Sequence, residues 1–368
     1  MDGKFGIILT MKNIIMSAVV ASLSAVSAWA QNSDPLTLWK KGDAGVAVYR
    51  IPALCTAPNG DLVAACDARK NHGADLNSGQ PINISIRRST DNGKTWTDPV
   101  NSWTWQYDNE AHWAGSDPSF IVDAKTKTIF LFYNVWESKG NKGVFQFWVQ
   151  ESKDNGATWS KPRDISKDIA FDGWPFGDPK GFIFISSGSG IQTKNGWLLH
   201  TLVHVGDGNA LFGSKDHGKT WQPIGKPVTC GDECKVVELN NGAWMINSRW
   251  KGGGRQIHVS KNKGQSWESR YDTTLTDPQC NAQIMRYGKV LLFSNCNAKG
   301  RSNVTLRASA DDGKTWSKGI VICAGGSAYS DITILKSGDI GVLYESAGYG
   351  GLDFVTVPKA DIKKDLGK

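Results

Sequence analysis

Three arginines stand inside or beside apolar runs, where a charged side chain needs a partner. Arg50 lies in VYRIPAL, Arg249 in NSRW at the end of an apolar run, and Arg301 in GRSNVTLRAS. A guanidinium group keeps its charge and offers a fork of donors that suits a carboxylate. Each arginine taken alone therefore predicts either a structural ion pair or a contact with an anionic ligand.

The elements that position these side chains are indicated by an eight-residue unit that occurs five times. The copies are STDNGKTW from Ser89, SKDNGATW from Ser152, SKDHGKTW from Ser214, SKNKGQSW from Ser260 and SADDGKTW from Ser309. Their starts are 46 to 63 residues apart. This period is too long for a repeat of helical pairs and is typical of four-stranded blades.

The repeated unit has the composition of a turn rather than of a catalytic centre. Its Asp can accept hydrogen bonds from local backbone N–H groups, its Gly permits a positive φ, and its Trp can anchor the turn between strands. Asn262 replaces the Asp in the fourth copy, and Asn suits the same turn. Because one active site does not need five equivalent turns, we expect the copies to be structural and to lie away from the site.

The stretches between the units alternate short apolar runs with Gly-containing turns, which predicts hairpins. Examples are VVELNNGAWMINSRW and ITILKSGDIGVLYES. We therefore predict an all-β fold, a six-bladed β-propeller of four-stranded antiparallel blades. The last blade, around Tyr329 to Phe354, lacks the repeated unit and is expected to close the ring with the N-terminal strand.

The first thirty residues have the features of a signal peptide. A short basic start at Met11–Asn13 is followed by an apolar run too short to span a membrane and by the cleavage pattern Ala28-Trp29-Ala30. Residues 1–10 would be an upstream extension. We expect residues 31–368 to form a single catalytic domain that is secreted or periplasmic, without a membrane span. The net charge of +7 is spread along the chain, which argues against a nucleic-acid partner.

Seven cysteines in an exported chain allow up to three disulfides. Cys280 and Cys296 are symmetric about Gly288, and Cys55 and Cys66 flank a predicted turn. Buried free thiols are an equal alternative for both pairs. The spacings do not match a zinc site.

The motif YRIP followed by the five units resembles the bacterial exo-α-sialidases, or neuraminidases, of glycoside hydrolase family 33. The motif matches the F/Y-R-I-P pattern of that family, and the units match its Asp-boxes. The resemblance extends over residues 31–368. It implies that the chain removes terminal sialic acid from glycans, with retention of configuration and without a cofactor or metal.

The resemblance also implies roles for particular residues. Arg50, Arg249 and Arg301 match the three arginines that hold the substrate carboxylate in this family. Glu345, in VLYES, matches the acid that steadies the first of them. Arg69 matches another arginine that contacts substrate.

The catalytic residues are implied in the same way. Tyr329, in GSAYSDITIL, matches the nucleophile, and sialidases are the tyrosine exception among glycosidases. Glu233 matches its base, with Glu238 as the nearest rival. Asp75, in the loop sequence NHGADLNSG, matches the acid/base, with His72 as its rival.

Two further assignments complete the expected site. Asp117, in GSDPSF, matches an acid that hydrogen-bonds a ring hydroxyl. Trp136 or Trp148 would form the wall of the acetamido pocket. We expect sialylated glycans as the partners and a monomeric chain. The alternatives are a trans-sialidase, an intramolecular sialidase that forms an anhydro sugar, and a propeller that binds sialic acid without turnover.

Overall fold

The computed structural model describes residues 34–107, 111–139, 142–178 and 181–367. The predicted signal peptide lies outside these residues. Within them, none of the helices has the length and apolar character needed to cross a membrane. The only α-helix of this part is α1 (Lys359–Asp365), and short 3₁₀ turns occur at Asp43–Gly45, Leu76–Ser78 and Ala347–Tyr349.

The described residues otherwise form β-strands, as predicted. The first half of the chain contributes β1 (Leu36–Lys40), β2 (Val48–Thr56), β3 (Leu62–Arg69), β4 (Ile82–Ser89), β5 (Val100–Trp103), β6 (Gln106–Tyr107), β7 (Ala111–Asp123), β8 (Thr128–Lys139), β9 (Lys142–Ser152), β10 (Arg163–Asp164), β11 (Ile183–Ile185), β12 (Gly188–Ser189) and β13 (Ile191–Gln192). The second half contributes β14 (Leu198–His204), β15 (Gly208–Ser214), β16 (Gln222–Thr229), β17 (Cys234–Glu238), β18 (Trp244–Ser248), β19 (Arg255–Ser260), β20 (Glu268–Asp272), β21 (Gln283–Tyr287), β22 (Val290–Cys296), β23 (Ser302–Ser309), β24 (Ile320–Ile334), β25 (Ile340–Ser346) and β26 (Gly351–Val357).

Hydrogen bonding groups these strands into five sheets in a propeller-like arrangement. Two sheets are simple four-stranded meanders, β2 to β5 and β17 to β20. A third follows the path β11, β14, β15, β16, and a fourth is built around β7 to β10. The fifth runs β1, β26, β25, β24, β23, β22, β21. The N-terminal strand thus pairs with the last strand of the chain, which is the predicted ring closure.

The sheet count differs from the prediction of six separate blades, and the long strand β24 is the reason. Its first residues pair with β23, from Ile320 to Gly326, and its later residues pair with β25, from Ser327 to Ile334. One continuous strand therefore serves two four-stranded groups. The sequence shows no break at this point, so strand composition alone did not reveal that two sheets would be joined.

Three strands that carry predicted site residues are interrupted by irregularities in register. The pairing shifts between Arg50 and Ala53 in β2, between Ser116 and Ser119 in β7, and between Ser327 and Ser330 in β24. In the first two strands the residue before a proline has a positive φ: Ile51 at 60° and Asp117 at 58°. Proline cannot donate a ladder hydrogen bond, so it suits such a bulge, and a bulge redirects the neighbouring side chains.

The five repeated units are turns, and none of their residues lines the cavity described below. In each copy the Gly N–H donates to the Ser Oγ, at 2.8 or 2.9 Å. The glycines also fit closely against neighbouring strands. A Cβ on Gly93 would lie 2.3 Å from Phe354, and one on Gly218 would lie 2.1 Å from Phe130. The units therefore hold the sheets together.

Asp311 in the fifth unit provides a test of this structural role. Its carboxylate accepts hydrogen bonds from Thr315 N at 2.9 Å and Thr315 Oγ1 at 2.7 Å. We expect Asp311→Ala to lower the free energy of unfolding by about 1 kcal/mol and to leave any turnover by the folded protein unchanged. Thermal denaturation and steady-state kinetics measure the two effects.

Asn262 supplies the matched control, since its amide oxygen accepts Ser266 N at 3.0 Å. Asp311→Asn should therefore lose less stability than Asp311→Ala. A folded Asp311→Ala protein with impaired turnover would contradict the structural role.

All seven cysteines are free thiols in the structure. For Cys55 and Cys66 the structure shows the free-thiol alternative, because Cys55 pairs with Val63 across β2 and β3. The two side chains also pack into different core clusters. Cys280 and Cys296 are close together, with 3.9 Å between their sulfur atoms.

Candidate active site

Six of the predicted site residues line one cavity of about 210 Å³. Its lining comes from the irregular segments of β2, β7 and β24 and from residues next to the ends of other strands. Among the residues that line it are Arg69, Asp75, Asp117, Glu233, Arg249 and Tyr329. Three further predicted residues contact Tyr329 without lining the cavity: Arg50, Arg301 and Glu345.

A phenol and a carboxylate form a close pair at the centre of this cavity. Tyr329 Oη donates a hydrogen bond of 2.6 Å to Glu233 Oε2, although the two residues are 96 positions apart. Arg249 Nη1 lies 2.5 Å from the same Oε2 and 3.3 Å from Tyr329 Oη. Glu233 immediately precedes β17, and Arg249 immediately follows the neighbouring strand β18. Antiparallel pairing of these strands therefore brings both residues to the same edge.

Arg50 is held by a carboxylate that is completely buried. Arg50 Nε and Nη2 donate to the two oxygens of Glu345 at 2.9 and 3.2 Å. Glu345 also accepts from the backbone N–H groups of Ile51 at 2.9 Å and Tyr329 at 3.1 Å. Burial alone would lower the pKa of Arg50, but the charge and hydrogen bonds of Glu345 raise it above its usual value. Glu345 thus fixes the cation and the chain at Tyr329 together.

Three guanidinium groups surround the Tyr329 side chain. The guanidinium carbons of Arg50 and Arg301 each lie 5.3 Å from the centre of its ring, and Arg249 reaches its hydroxyl. Arg301 is oriented by Tyr349 Oη at 3.1 Å and by the carbonyl of Gln279 at 3.0 Å. Among the ion pairs of the described residues, Arg50 has one carboxylate partner, Glu345, and Arg301 has none. The cluster can therefore accept a further anion.

The phenol itself stays protonated in this environment. Burial first, and then the negative charge of Glu233, raise the pKa of Tyr329 well above 10. The positive charges of Arg249 and Arg50 lower this pKa, but they do not offset burial. Removal of the proton consequently requires a base within hydrogen-bond reach, and Glu233 occupies that position.

Asp75 also lines the cavity and lies on the loop after β3. Its carboxylate accepts a hydrogen bond of 2.8 Å from Arg69 Nη1, and its side chain is 72 % exposed. Arg69 is almost fully buried and also donates to Gly73 O at 2.7 Å. Two further contacts, at 2.9 and 3.1 Å, tie Arg69 to Asp67. Arg69 therefore supports the loop of Asp75 in addition to lining the cavity.

Asp117 lies at the bulge in β7 and is joined to the same network. Its backbone N–H donates to Asp67 Oδ1 at 2.9 Å, and its Oδ2 accepts from Asn134 at 3.1 Å. Loss of hydration, with the negative charges of Asp67 and Glu233, raises the pKa of Asp117 well above its usual range. A protonated carboxyl can donate a hydrogen bond, which suits a contact with a sugar hydroxyl. Sequence reasoning missed Asp67, which is buried and organises both Arg69 and Asp117.

The aromatic wall of the cavity differs from the expected one. Trp136 does not appear among the lining residues; it packs against Phe145 with 4.8 Å between ring centres. Phe145 itself lines the cavity, together with Phe182 and Phe184. Trp148 is also absent from the lining and donates to Gln146 at 2.9 Å. Sequence reasoning missed the three phenylalanines because they resemble ordinary core residues.

The rivals of the predicted catalytic residues lie in other environments. Glu238 Oε2 accepts a hydrogen bond of 2.7 Å from Lys194 N, and Glu238 does not line the cavity. His72 is exposed and contacts Ala74 N through Nδ1 at 3.4 Å. Among the described residues no three His, Cys, Asp or Glu side chains are arranged to hold a metal ion.

The sequence and the fold of this chain are similar to those of known proteins. A BNR repeat-like domain matches residues 60–342. The chain is 37 % identical to a sialidase of Micromonospora viridifaciens over 83 % of its own length and 50 % of the relative. It is 29 % identical to a sialidase of Bacteroides fragilis, over 88 % of this chain and 64 % of that one.

The fold has a solved counterpart in a Hadza microbial sialidase, with a TM-score of 0.78. The two are 29 % identical, and the match covers 89 % of this chain and 69 % of the other. The chain spans about half of the Micromonospora relative and about two thirds of the other two.

Proposed function

This chain belongs to the bacterial sialidase family, and from that premise we propose that it is an exo-α-sialidase. It hydrolyses terminal sialic acid from glycoproteins, glycolipids and oligosaccharides. The observation that carries the proposal is the hydrogen bond of 2.6 Å between Tyr329 Oη and Glu233, within a cluster of three arginines. A phenol paired with a base inside a cationic cavity is suited to a sugar that bears a carboxylate beside its reacting carbon.

Substrate binding begins with the arginines. The sialic acid carboxylate accepts hydrogen bonds from Arg50, Arg249 and Arg301, which relieves the repulsion among the three cations. This contact sets the anomeric carbon next to Tyr329. A carboxylate nucleophile would be repelled by the substrate carboxylate, whereas a neutral phenol is not.

The reaction then proceeds in two steps. Glu233 takes the phenolic proton as Tyr329 attacks the anomeric carbon, and Asp75 protonates the departing glycosidic oxygen. The product of this step is a covalent sialosyl-tyrosine and a free aglycone. Asp75 then removes a proton from water, which attacks the same carbon and releases Tyr329. Two displacements leave the configuration of the sugar unchanged.

The remaining residues bind and orient the sugar. Arg69 holds Asp75 on its loop, and Asp117 donates to a ring hydroxyl. Phe145, Phe182 and Phe184 offer an apolar surface to the rest of the sugar, in the place where a tryptophan was expected. Residues 31–368 act as one domain from which the signal peptide is removed during export, and no cofactor is required.

Release of the fluorophore from a 4-methylumbelliferyl α-sialoside tests the activity directly. Purified wild type should release 4-methylumbelliferone and sialic acid together. Folded wild type that binds free sialic acid but releases no fluorophore would be a binding protein, and the proposal would fail. Addition of lactose distinguishes a trans-sialidase, because such an enzyme would form sialyllactose.

The role of Asp75 predicts a dependence on the leaving group. Asp75→Asn should reduce turnover of 3′-sialyllactose by about 10²-fold or more, since a sugar oxygen leaves poorly without a proton. Turnover of the aryl sialoside should fall by less than about 10-fold, because a phenolate leaves without protonation. Parallel kinetics with the two substrates give the comparison.

His72→Ala is the matched control for the same loop, and it should leave both rates within about 3-fold of wild type. Equal losses for both substrates in Asp75→Asn would assign Asp75 to binding rather than to acid catalysis.

A further inference from the structure

Two buried thiols face each other next to the segment that leads to Tyr329. The sulfur atoms of Cys280 and Cys296 are 3.9 Å apart, and both residues are buried, at 1 % and 0 % exposure. They belong to the same core cluster as Tyr329. A disulfide has a sulfur–sulfur distance of about 2 Å, so closure requires the sulfurs to approach by about 2 Å.

The position of this pair differs from that of the other candidate pair. Cys55 and Cys66 contact separate core clusters on their sheet, and the register of β2 and β3 does not bring them together. The sulfur of Cys296 also lies 3.2 Å from Ala328 O and 3.4 Å from Ser327 O, in the segment that leads to Tyr329.

We propose that Cys280 and Cys296 form a disulfide when the chain folds under oxidising conditions. Each thiol loses one hydrogen, a sulfur–sulfur bond forms, and the two electrons pass to a small external disulfide such as oxidised glutathione. That reagent is cleaved to two thiols, so the exchange is balanced.

Because both sulfur atoms are buried in the folded chain, we expect the disulfide to form during folding. Neither sulfur is exposed in the folded chain, so the external disulfide must react before the segment from Gln279 to Asn281 closes over β22. The structure, in which both residues are thiols, is the reduced form. The oxidised form differs from it by the approach of the two sulfur atoms by about 2 Å.

The disulfide would stabilise the segments that support Arg301 and Tyr329. Gln279, next to Cys280, accepts a hydrogen bond of 3.0 Å from Arg301. Cys280 O accepts one of 3.2 Å from the buried Arg255. The bond would therefore connect the segment around Gln279, which supports Arg301, with β22, whose Cys296 contacts the backbone next to Tyr329. It would also restrict the unfolded chain, which raises stability.

A thiol count gives the primary test and needs no substrate. Wild type refolded in a mixture of reduced and oxidised glutathione, then denatured without reductant, should show five reactive thiols instead of seven. Peptide mapping should find Cys280 linked to Cys296. Seven thiols, or a bridge between any other pair, would overturn the proposal. Because this measurement is independent of activity, its failure and the failure of the sialidase proposal can be told apart.

Thermal denaturation tests the bracing role with a matched control. Wild type refolded under oxidising conditions should melt about 5 °C higher than wild type refolded with reductant. Cys280→Ser should melt at the same temperature after either treatment, whereas Cys55→Ser should keep the difference. A difference that persists in Cys280→Ser, or one that is lost in Cys55→Ser, would contradict the assignment.

Discussion

Tyr329→Phe should lower kcat by about 10³-fold or more while the protein remains folded. The substitution removes the oxygen that attacks the anomeric carbon and leaves the ring in its position. Arg249 still lies 2.5 Å from Glu233 in the variant, so the carboxylate keeps a partner. Steady-state turnover of the aryl sialoside measures the loss, and circular dichroism with thermal denaturation verifies the fold.

Tyr133→Phe is the matched control for this prediction. Tyr133 is fully buried and its hydroxyl has no hydrogen-bond partner among the described residues. Removal of that hydroxyl should therefore preserve turnover. If Tyr329→Phe retained more than about one tenth of the wild-type kcat, Tyr329 would not be the nucleophile, and a water attack assisted by Glu233 would replace it.

Glu345→Ala should have the largest effect on stability, because it leaves Arg50 buried without its counter-charge. The two contacts to Arg50 and the two to backbone N–H groups would all be lost. We expect the free energy of unfolding to fall by about 3 kcal/mol or more. KM should also rise, since Arg50 and the backbone at Tyr329 lose their common anchor. Denaturant unfolding and substrate-dependent kinetics measure these effects.

Glu345→Gln separates the loss of charge from the loss of shape. Glutamine keeps one acceptor oxygen for the cation or the backbone, so its destabilisation should be smaller than that of alanine. Stability near that of wild type in both variants would show that Arg50 is satisfied in another way, for example by water.

Much of this account could be predicted from residue types and their spacing. The repeated Ser-x-Asp-x-Gly-x-Thr-Trp unit identifies its own turn, because each residue has a local function there. The arginines were conspicuous because charge is unusual in apolar runs. Composition does not show which carboxylate pairs with which arginine. Arg50 and Glu345, for example, are 295 positions apart and meet only through ring closure.

Other features depend on packing between distant strands. The bulges at Ile51 and Asp117 are marked in the sequence by a proline that follows each residue inside a strand. The replacement of Trp136 by Phe145 on the cavity wall had no such signal. Both side chains lie in adjacent strands and contact each other, so the choice depends on which ring is nearer the opening.

The anomeric form of the first product tests the central claim most directly. Proton NMR spectra collected during early turnover of the aryl sialoside by wild type should show the α-anomer of free sialic acid, followed by slow conversion to the β-anomer. This order is the result of two displacements through Tyr329. An initial β-anomer would mean a single displacement by water and would contradict the covalent mechanism. A 2,7-anhydro product would instead place the chain among the intramolecular sialidases.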